Sequence, residues 1–442
     1  MRKTLSLFAL LVLSTVAYSQ NPATTDTSEV SYVVLKNATL IDAVSDTGKK
    51  GSLLIKDERI EALSYDRPIA PPKGAVVYDL EGKYIIPGLI DAHVHITHGT
   101  LKEAQDQLQK ALKAGITGVR DMGGDGRMLT LLQKNTKIGE DMGPDVFFST
   151  IIAGPEFFAK DPRPQDVAKG AIAGEVPWVK AITDTTDLRQ VIAEAKGLGA
   201  TAIKVYLNID KHLFKKVAAE AKRQDLKVWA HGVVPPTKPL DITNGGADVM
   251  SHVGSLIQYQ MAKGPIKGRH DFESREKAAE WKAKLDAVKW DENTPEVVQL
   301  FDAMKKNQSI LDATLFVYYY FKENLKNMKE DALRQVDAFR AVTIAYDMGV
   351  KIGAGSDHMI SEDGTLNLHT ELKLLTTAGL SNIDALRAAT IVNAEGLGEE
   401  KQIGTIESGK LANLVILNTD PLENIENTLD IKYVVKRGVI IP

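Results

Sequence analysis

The chain has 442 residues, 44% hydrophobic and 25% charged, with 34 Gly and 17 Pro, averages that exclude a disordered, collagenous or coiled-coil protein. Lys and Arg number 54 against 58 Asp and Glu, so no basic excess exists to neutralise a phosphate backbone or an anionic membrane surface, and neither nucleic acid nor membrane is expected as a partner. With no cysteine, disulfides, Fe–S clusters, thiolate zinc sites and cysteine nucleophiles are excluded, and any metal must use His, Asp, Glu or a modified lysine.

Residues 1–19 have a basic start at Arg2 and Lys3, an apolar stretch broken only by Ser and Thr, and small residues at Ala17 and Ser19. This pattern is that of a secretory signal peptide, too short in its apolar part to span a membrane, which needs about 20 residues. The expected destination is a periplasm or the outside. Residues 20–29 are polar and read as a disordered leader.

Residues 30–86 hold short β-rich runs at 32–35, 53–55 and 76–78, separated by Gly, Asp and Pro, and read as the first part of a small β-domain. From 87 to 402 apolar runs alternate with amphipathic helical stretches. Eight candidate strands fall at 89–95, 116–121, 146–151, 202–206, 227–231, 248–252, 310–315 and 350–357, with helices such as 101–114, 188–198, 211–223 and 332–348 between them. The fold class is therefore α/β, a (β/α)8 TIM barrel. Residues 403–442 return to β character at 414–417 and 433–440, which suggests a β-sandwich domain built from both ends of the chain. A charged stretch at 263–296 is longer than an ordinary strand-to-helix loop and reads equally as a lid or as a solvated surface insertion.

In the first candidate strand Ile90, Ala92 and Val94 alternate with Asp91, His93 and His95, so both imidazoles share a face, as one ion needs. Four further residues recur at later strand ends: Lys204, His231, His252 and Asp357. Active sites of such barrels are built at that end of the strands. Gly353 and Gly355 share the strand parity of Asp357, so nothing bulky is expected beneath it.

The motifs Pro87-Gly-Leu-Ile-Asp-Ala-His-Val-His, Gly115-Ile-Thr-Gly-Val-Arg-Asp-Met-Gly, Ile203-Lys-Val, Ala230-His-Gly, Ser251-His-Val-Gly, Gly353-Ala-Gly-Ser-Asp and Gly404-Thr-Ile-Glu-Ser-Gly-Lys-Leu-Ala-Asn-Leu-Val resemble the amidohydrolase superfamily, and within it imidazolonepropionases and bacterial Xaa-Pro dipeptidases. The tail departs from the family pattern at Asn413, where Asp is usual. The resemblance implies that His93, His95 and Asp357 bind one divalent ion, His231 and His252 a second, and Lys204, as a CO2-derived carbamate, bridges them. Zinc suits this donor set, with manganese, cobalt and iron left open. Two such ions share a water and lower its pKa, and Asp357 acts as general base and then general acid.

The reaction implied is hydrolysis of an amide C–N bond in a small molecule: a dipeptide, an N-acyl amino acid or a cyclic amide. The leading reading is an exported dipeptidase. The alternatives are a mononuclear hydrolase of a cyclic amide or amidine, with Lys204 an ordinary barrel lysine, and a non-catalytic binding barrel. Weaker candidates for substrate contact are His98, Arg120, Tyr206 and His358. His212, His270 and His369, in helical or inserted stretches, are expected to be solvated. Oligomeric state is left open, a homo-oligomer included.

Overall fold

A computed structural model describes residues 30–442 apart from 66, 255, 269–270, 325–327 and 361–365, so the expected signal peptide, the leader and His270 lie outside the described residues. The two ends of the chain join in one sheet. Its strands are Tyr32–Leu40, Lys49–Lys56, Arg59–Ser64, Val76–Asp79 and Tyr84–Pro87 from the N-terminal part, and Leu414–Leu417, Ile431–Lys436 and Val439–Ile441 from the C-terminal part. Tyr84–Pro87 pairs antiparallel with Leu414–Leu417 and parallel with Tyr32–Leu40, which stitches the ends together. The expected sandwich thus takes the form of a single continuous mixed sheet.

The run Leu414-Val-Ile-Leu is apolar throughout because both of its faces are covered. Leu414 and Ile416 enter the sheet's own core with Leu35, Leu53, Ile55 and Ile85, whereas Val415 and Leu417 join the core of the barrel. This strand therefore seals the sheet onto the barrel.

Eight parallel barrel strands follow in the order expected: Leu89–Val94, Ile116–Asp121, Asp145–Ala153, Ala202–Val205, Lys227–His231, Val249–Ser251, Ile310–Asp312 and Ile352–Gly353. Closure between the eighth and first strands rests on two backbone bonds, Ala92 N to Ala354 O at 3.0 Å and Asp357 N to His93 O at 2.8 Å. The Asn393 side-chain amide spans the same seam, donating to Ile90 O at 2.7 Å and Ala354 O at 2.8 Å.

Inside the barrel Lys204, Trp229, Val249 and Ile310 lie side by side in register. Two residues further along, His231, Ser251 and Asp312 form the next inward layer. Ile90, Met122, Ala202, Trp229, Val249 and Ile310 plug the barrel beneath it.

Several expected strands are shorter than the apolar runs suggested, the last three among them. The sixth stops at Ser251, the seventh at Asp312 and the eighth at Gly353, and beyond those ends His252, Thr314 and Asp357 take left-handed backbone conformations, φ 74°, 49° and 56°. The strand-parity argument for Gly353 and Gly355 is therefore corrected: Asp357 lies on a turn. Gly355 is required for another reason, since a Cβ there would lie 2.6 Å from His93 Cβ and would collide with Asp312 Oδ1.

The 263–296 insertion contains the exposed helix Arg275–Asp286. It is anchored by Ile266 and Leu285 against Val233 and Ala262, just past the fifth and sixth strands, and so sits at the same end of the barrel as the residues described next. No helix among the described residues is long and apolar enough to cross a membrane.

Candidate metal centre

His93 is fully buried and points into the barrel from the first strand, while His95, one residue past its end, is partly exposed at the mouth. Their Nε2 atoms lie 3.0 and 3.3 Å from Asp357 Oδ1. From the sixth strand's end His252 brings Nδ1 within 3.9 Å of Asp357 Oδ2. Its ring centroid stands 4.7 Å from that of His93 and 4.7 Å from that of His231. Ligand atoms of His93, His252 and Asp357 all fall within 4.8 Å of one another. The resemblance assigned His93 and His252 to different ions, yet these two rings fall in one group with Asp357.

Neighbouring groups fix the rings. Asp312 Oδ2 lies 2.8 Å from His93 Nδ1, which places the ring proton on Nδ1 and leaves the Nε2 lone pair facing Asp357. His252 Nδ1 lies 3.0 Å from Thr314 Oγ1. The Val233 N–H donates to His231 Nδ1 at 3.2 Å, so ligation through that nitrogen exchanges this bond for a cation. Asp357 is held from the first strand: Asp91 accepts from the neighbouring Ser356 through N at 3.0 Å and Oγ at 2.6 Å. Burial lifts the Asp91 carboxyl to about 6.

The donor set fits a divalent ion. His93 Nε2 is buried and makes no hydrogen bond, although a carboxylate oxygen stands 3.0 Å away. Two lone pairs facing each other at that distance repel unless a cation or proton lies between them. Burial alone would raise the Asp357 carboxyl, but the His93 ring beside it holds it well below the usual range. Burial takes His231 down to about 3 and His252 well below its ordinary value, so both rings are neutral, as ligation requires. Burial likewise lowers the Lys204 ammonium to about 8, against the pull of Asp357, Asp121 and Asp312.

Tyr206 sits at the rim, edge-on to His231 and to Phe157 with ring centroids 5.0 Å away in each case. It is hydrogen-bonded to Arg163, itself forked onto buried Asp161 at 2.7 and 2.9 Å. His98 is exposed, its ring 5.6 Å from that of His95. His358 is exposed beside Tyr320.

Arg120, weighed as a substrate contact, is instead fully buried below the mouth. It donates to Asp312 Oδ2 at 2.9 Å and to Ala92 O, and stacks 4.3 Å over Trp229. His212 opens a surface helix with exposed flanks. The expectation that His369 is solvated fails: it is buried, donating from Nε2 to Ala114 O at 2.9 Å with Nδ1 2.9 Å from Thr428 Oγ1.

Sequence reasoning missed Asp312, Thr314 and Asp91. Asp312 carried the available signal, since it ends an apolar strand just as the other site residues do.

A profile of the Amidohydrolase family matches residues 84–441. Imidazolonepropionase of Aeromonas hydrophila subsp. hydrophila is 23% identical over 425 residues, covering 91% of this chain and 94% of that protein. Imidazolonepropionase of Sphingopyxis alaskensis is 25% identical over 392 residues, covering 84% of this chain and 88% of that protein. Among solved structures, a Xaa-Pro dipeptidase with methionine bound in its active site superposes with a TM-score of 0.71 at 20% identity, over 93% of this chain and 99% of that one. The A. niger ochratoxinase gives 0.71 at 19% identity, over 94% and 96%. At these identities the structural likeness speaks for the fold.

Proposed function

This chain belongs to the amidohydrolase family, and from that membership as a metal-dependent hydrolase of C–N bonds we propose that it is an exported enzyme cleaving the amide bond of a dipeptide or N-acyl amino acid. The observation that carries the reading is the bare Nε2 of His93 aimed at Asp357 with its Nδ1 fixed by Asp312. His93, His95 and Asp357 would hold one divalent ion, zinc by donor type, and His231 and His252 a second. Lys204 would join them after its neutral amine adds CO2 and releases a proton to give a carbamate; its lowered pKa makes that amine accessible. When bound, the ions supply Lewis acidity to the scissile carbonyl and acidify water.

The protein's own groups do the rest. Asp357, low in pKa and at the mouth, accepts a proton from the attacking water and delivers it to the leaving nitrogen. Asp312 and Thr314 orient the His93 and His252 rings, and the rim of Tyr206, His98 and His358 meets the rest of the small-molecule substrate. Export is read from residues 1–19.

A second reading is favoured by the tight group of His93, His252 and Asp357 and by the Val233 bond to His231: a single ion serving hydrolysis of a cyclic amide. Metal content per chain, measured together with hydrolysis of a panel of dipeptides, N-acyl amino acids and lactams, separates the two. Two ions per chain falling to about one in Lys204→Ala supports the first reading, and one ion unaffected by that substitution supports the second.

A further inference from the structure

Glu371 is fully buried on helix Asn367–Thr377, which follows the eighth barrel strand. Its two carboxyl oxygens accept the backbone N–H groups of Leu315 and Phe316, at 3.0 and 2.6 Å. Those are the first two residues of helix Leu315–Asn324, which leaves the seventh barrel strand. The opening N–H groups of a helix have no partner within it and are ordinarily satisfied by the side chain immediately before the helix, most often Ser, Thr, Asp or Asn.

Here that residue is Thr314, and its hydroxyl is turned elsewhere, 3.0 Å from His252 Nδ1. Thr314 is a β-branched residue at φ 49°, and His252 stands at φ 74°. Such conformations persist only where the surroundings over-determine them. A remote acid thus does the capping and leaves the local hydroxyl for an imidazole. The same helix grips the other side of the site, where Asn367 takes the Met359 carbonyl through its N–H at 3.1 Å and the His358 carbonyl through its side chain, next to Asp357.

We propose that Glu371 is a positioning residue of the metal centre: by capping helix Leu315–Asn324 from outside, it keeps Thr314 on His252 and so sets the angle at which that imidazole meets a cation. Burial lifts the carboxyl to about 8, while the two N–H groups it accepts from Leu315 and Phe316 favour its ionised form. The inference rests on His252 being a metal ligand.

The test is titration of metal-free full-length protein with Co(II), followed by its visible d–d absorption and by competition with a chelator. Wild type binds Co(II) and His93→Ala does not; if the two behave alike, the metal reading itself fails, whatever Glu371 does. Glu371→Gln, in which an amide NH2 faces a backbone N–H, is expected to weaken Co(II) binding about 10- to 100-fold and shift the d–d bands, the range typical for loss of a ligand-orienting partner. Thr314→Val, which keeps the shape and removes the hydroxyl, is expected to do the same. Because both act through one contact, the double variant should bind no more weakly than the worse single variant.

Wild-type affinity and spectrum in Glu371→Gln, however far its melting temperature falls, would show a merely structural cap and overturn the proposal, as would effects that multiply in the double variant. If Glu371→Gln does not fold, Glu371→Asp, too short to reach both N–H groups, takes its place with the same expected loss and the same overturning result.

Discussion

Asp312 Oδ2 lies 2.8 Å from His93 Nδ1, with both side chains fully buried and 219 residues apart in the chain. The same oxygen accepts from Arg120 at 2.9 Å and from Ser251 Oγ at 2.7 Å. One carboxylate therefore fixes the tautomer of a candidate metal-ligating ring and neutralises a buried guanidinium. Asp312→Asn should weaken metal affinity about 10- to 100-fold, as loss of an orienting carboxylate does elsewhere. It should also destabilise the fold by about 3–5 kcal/mol, because Arg120 loses its counter-charge. Calorimetric metal titration beside denaturant unfolding of the metal-free protein measures both, and an unchanged metal affinity would remove Asp312 from the centre.

Gly355 packs against His93 and Asp312 with no space for a Cβ. Gly355→Ala should cost about 1–3 kcal/mol of stability, the usual range for overpacking, and should displace His93. Thermal unfolding should show the first effect and bound metal per chain the second. A variant as stable and as well loaded as wild type would contradict the packing described.

The location of the candidate metal-binding residues was legible wherever the strand pattern alone could speak. His93 and His95 alternate with an apolar face, and Lys204 and His231 end apolar runs whose register the sheet keeps. His252 and Asp357 were found at strand ends, but their left-handed turns were not foreseen, because a positive φ at a non-glycine residue is imposed by tertiary contacts and leaves no local mark. Arg120 was read from its neighbours in the chain, whereas its partner Asp312 lies 192 residues away. Asp312 itself was passed over because the expected strand ran on to 315 and placed it in the interior, whereas the strand ends at Asp312.

Asp357→Asn keeps the size of the side chain and loses its capacity to accept a proton. Turnover should fall by about 10²- to 10⁴-fold, the contribution of a general base, with KM changing much less. Steady-state kinetics on whichever small amide proves to be hydrolysed decides this, and a loss confined to KM would move Asp357 from proton transfer to binding alone.

Burial lowers the pKa of His369, which bonds to Ala114 O and lies against Thr428. A base with a depressed folded-state pKa contributes its full stability above the unfolded value of about 6.5 and loses it as pH falls through the folded value, since only the unfolded chain takes up the proton readily. Wild type should therefore lose stability below about pH 6.5, and in His369→Gln that loss should shrink. Denaturant midpoints from pH 8 to pH 5 measure it, and parallel pH profiles for the two proteins would refute it.

The account depends on cations held among His93, His252 and Asp357 being needed for C–N hydrolysis. Its most direct measurement is amide hydrolysis by protein stripped with a chelator and then reloaded with a stoichiometric divalent ion. Activity should vanish on stripping and return on reloading in wild type but not in His93→Ala; full-speed turnover by the stripped protein would contradict it.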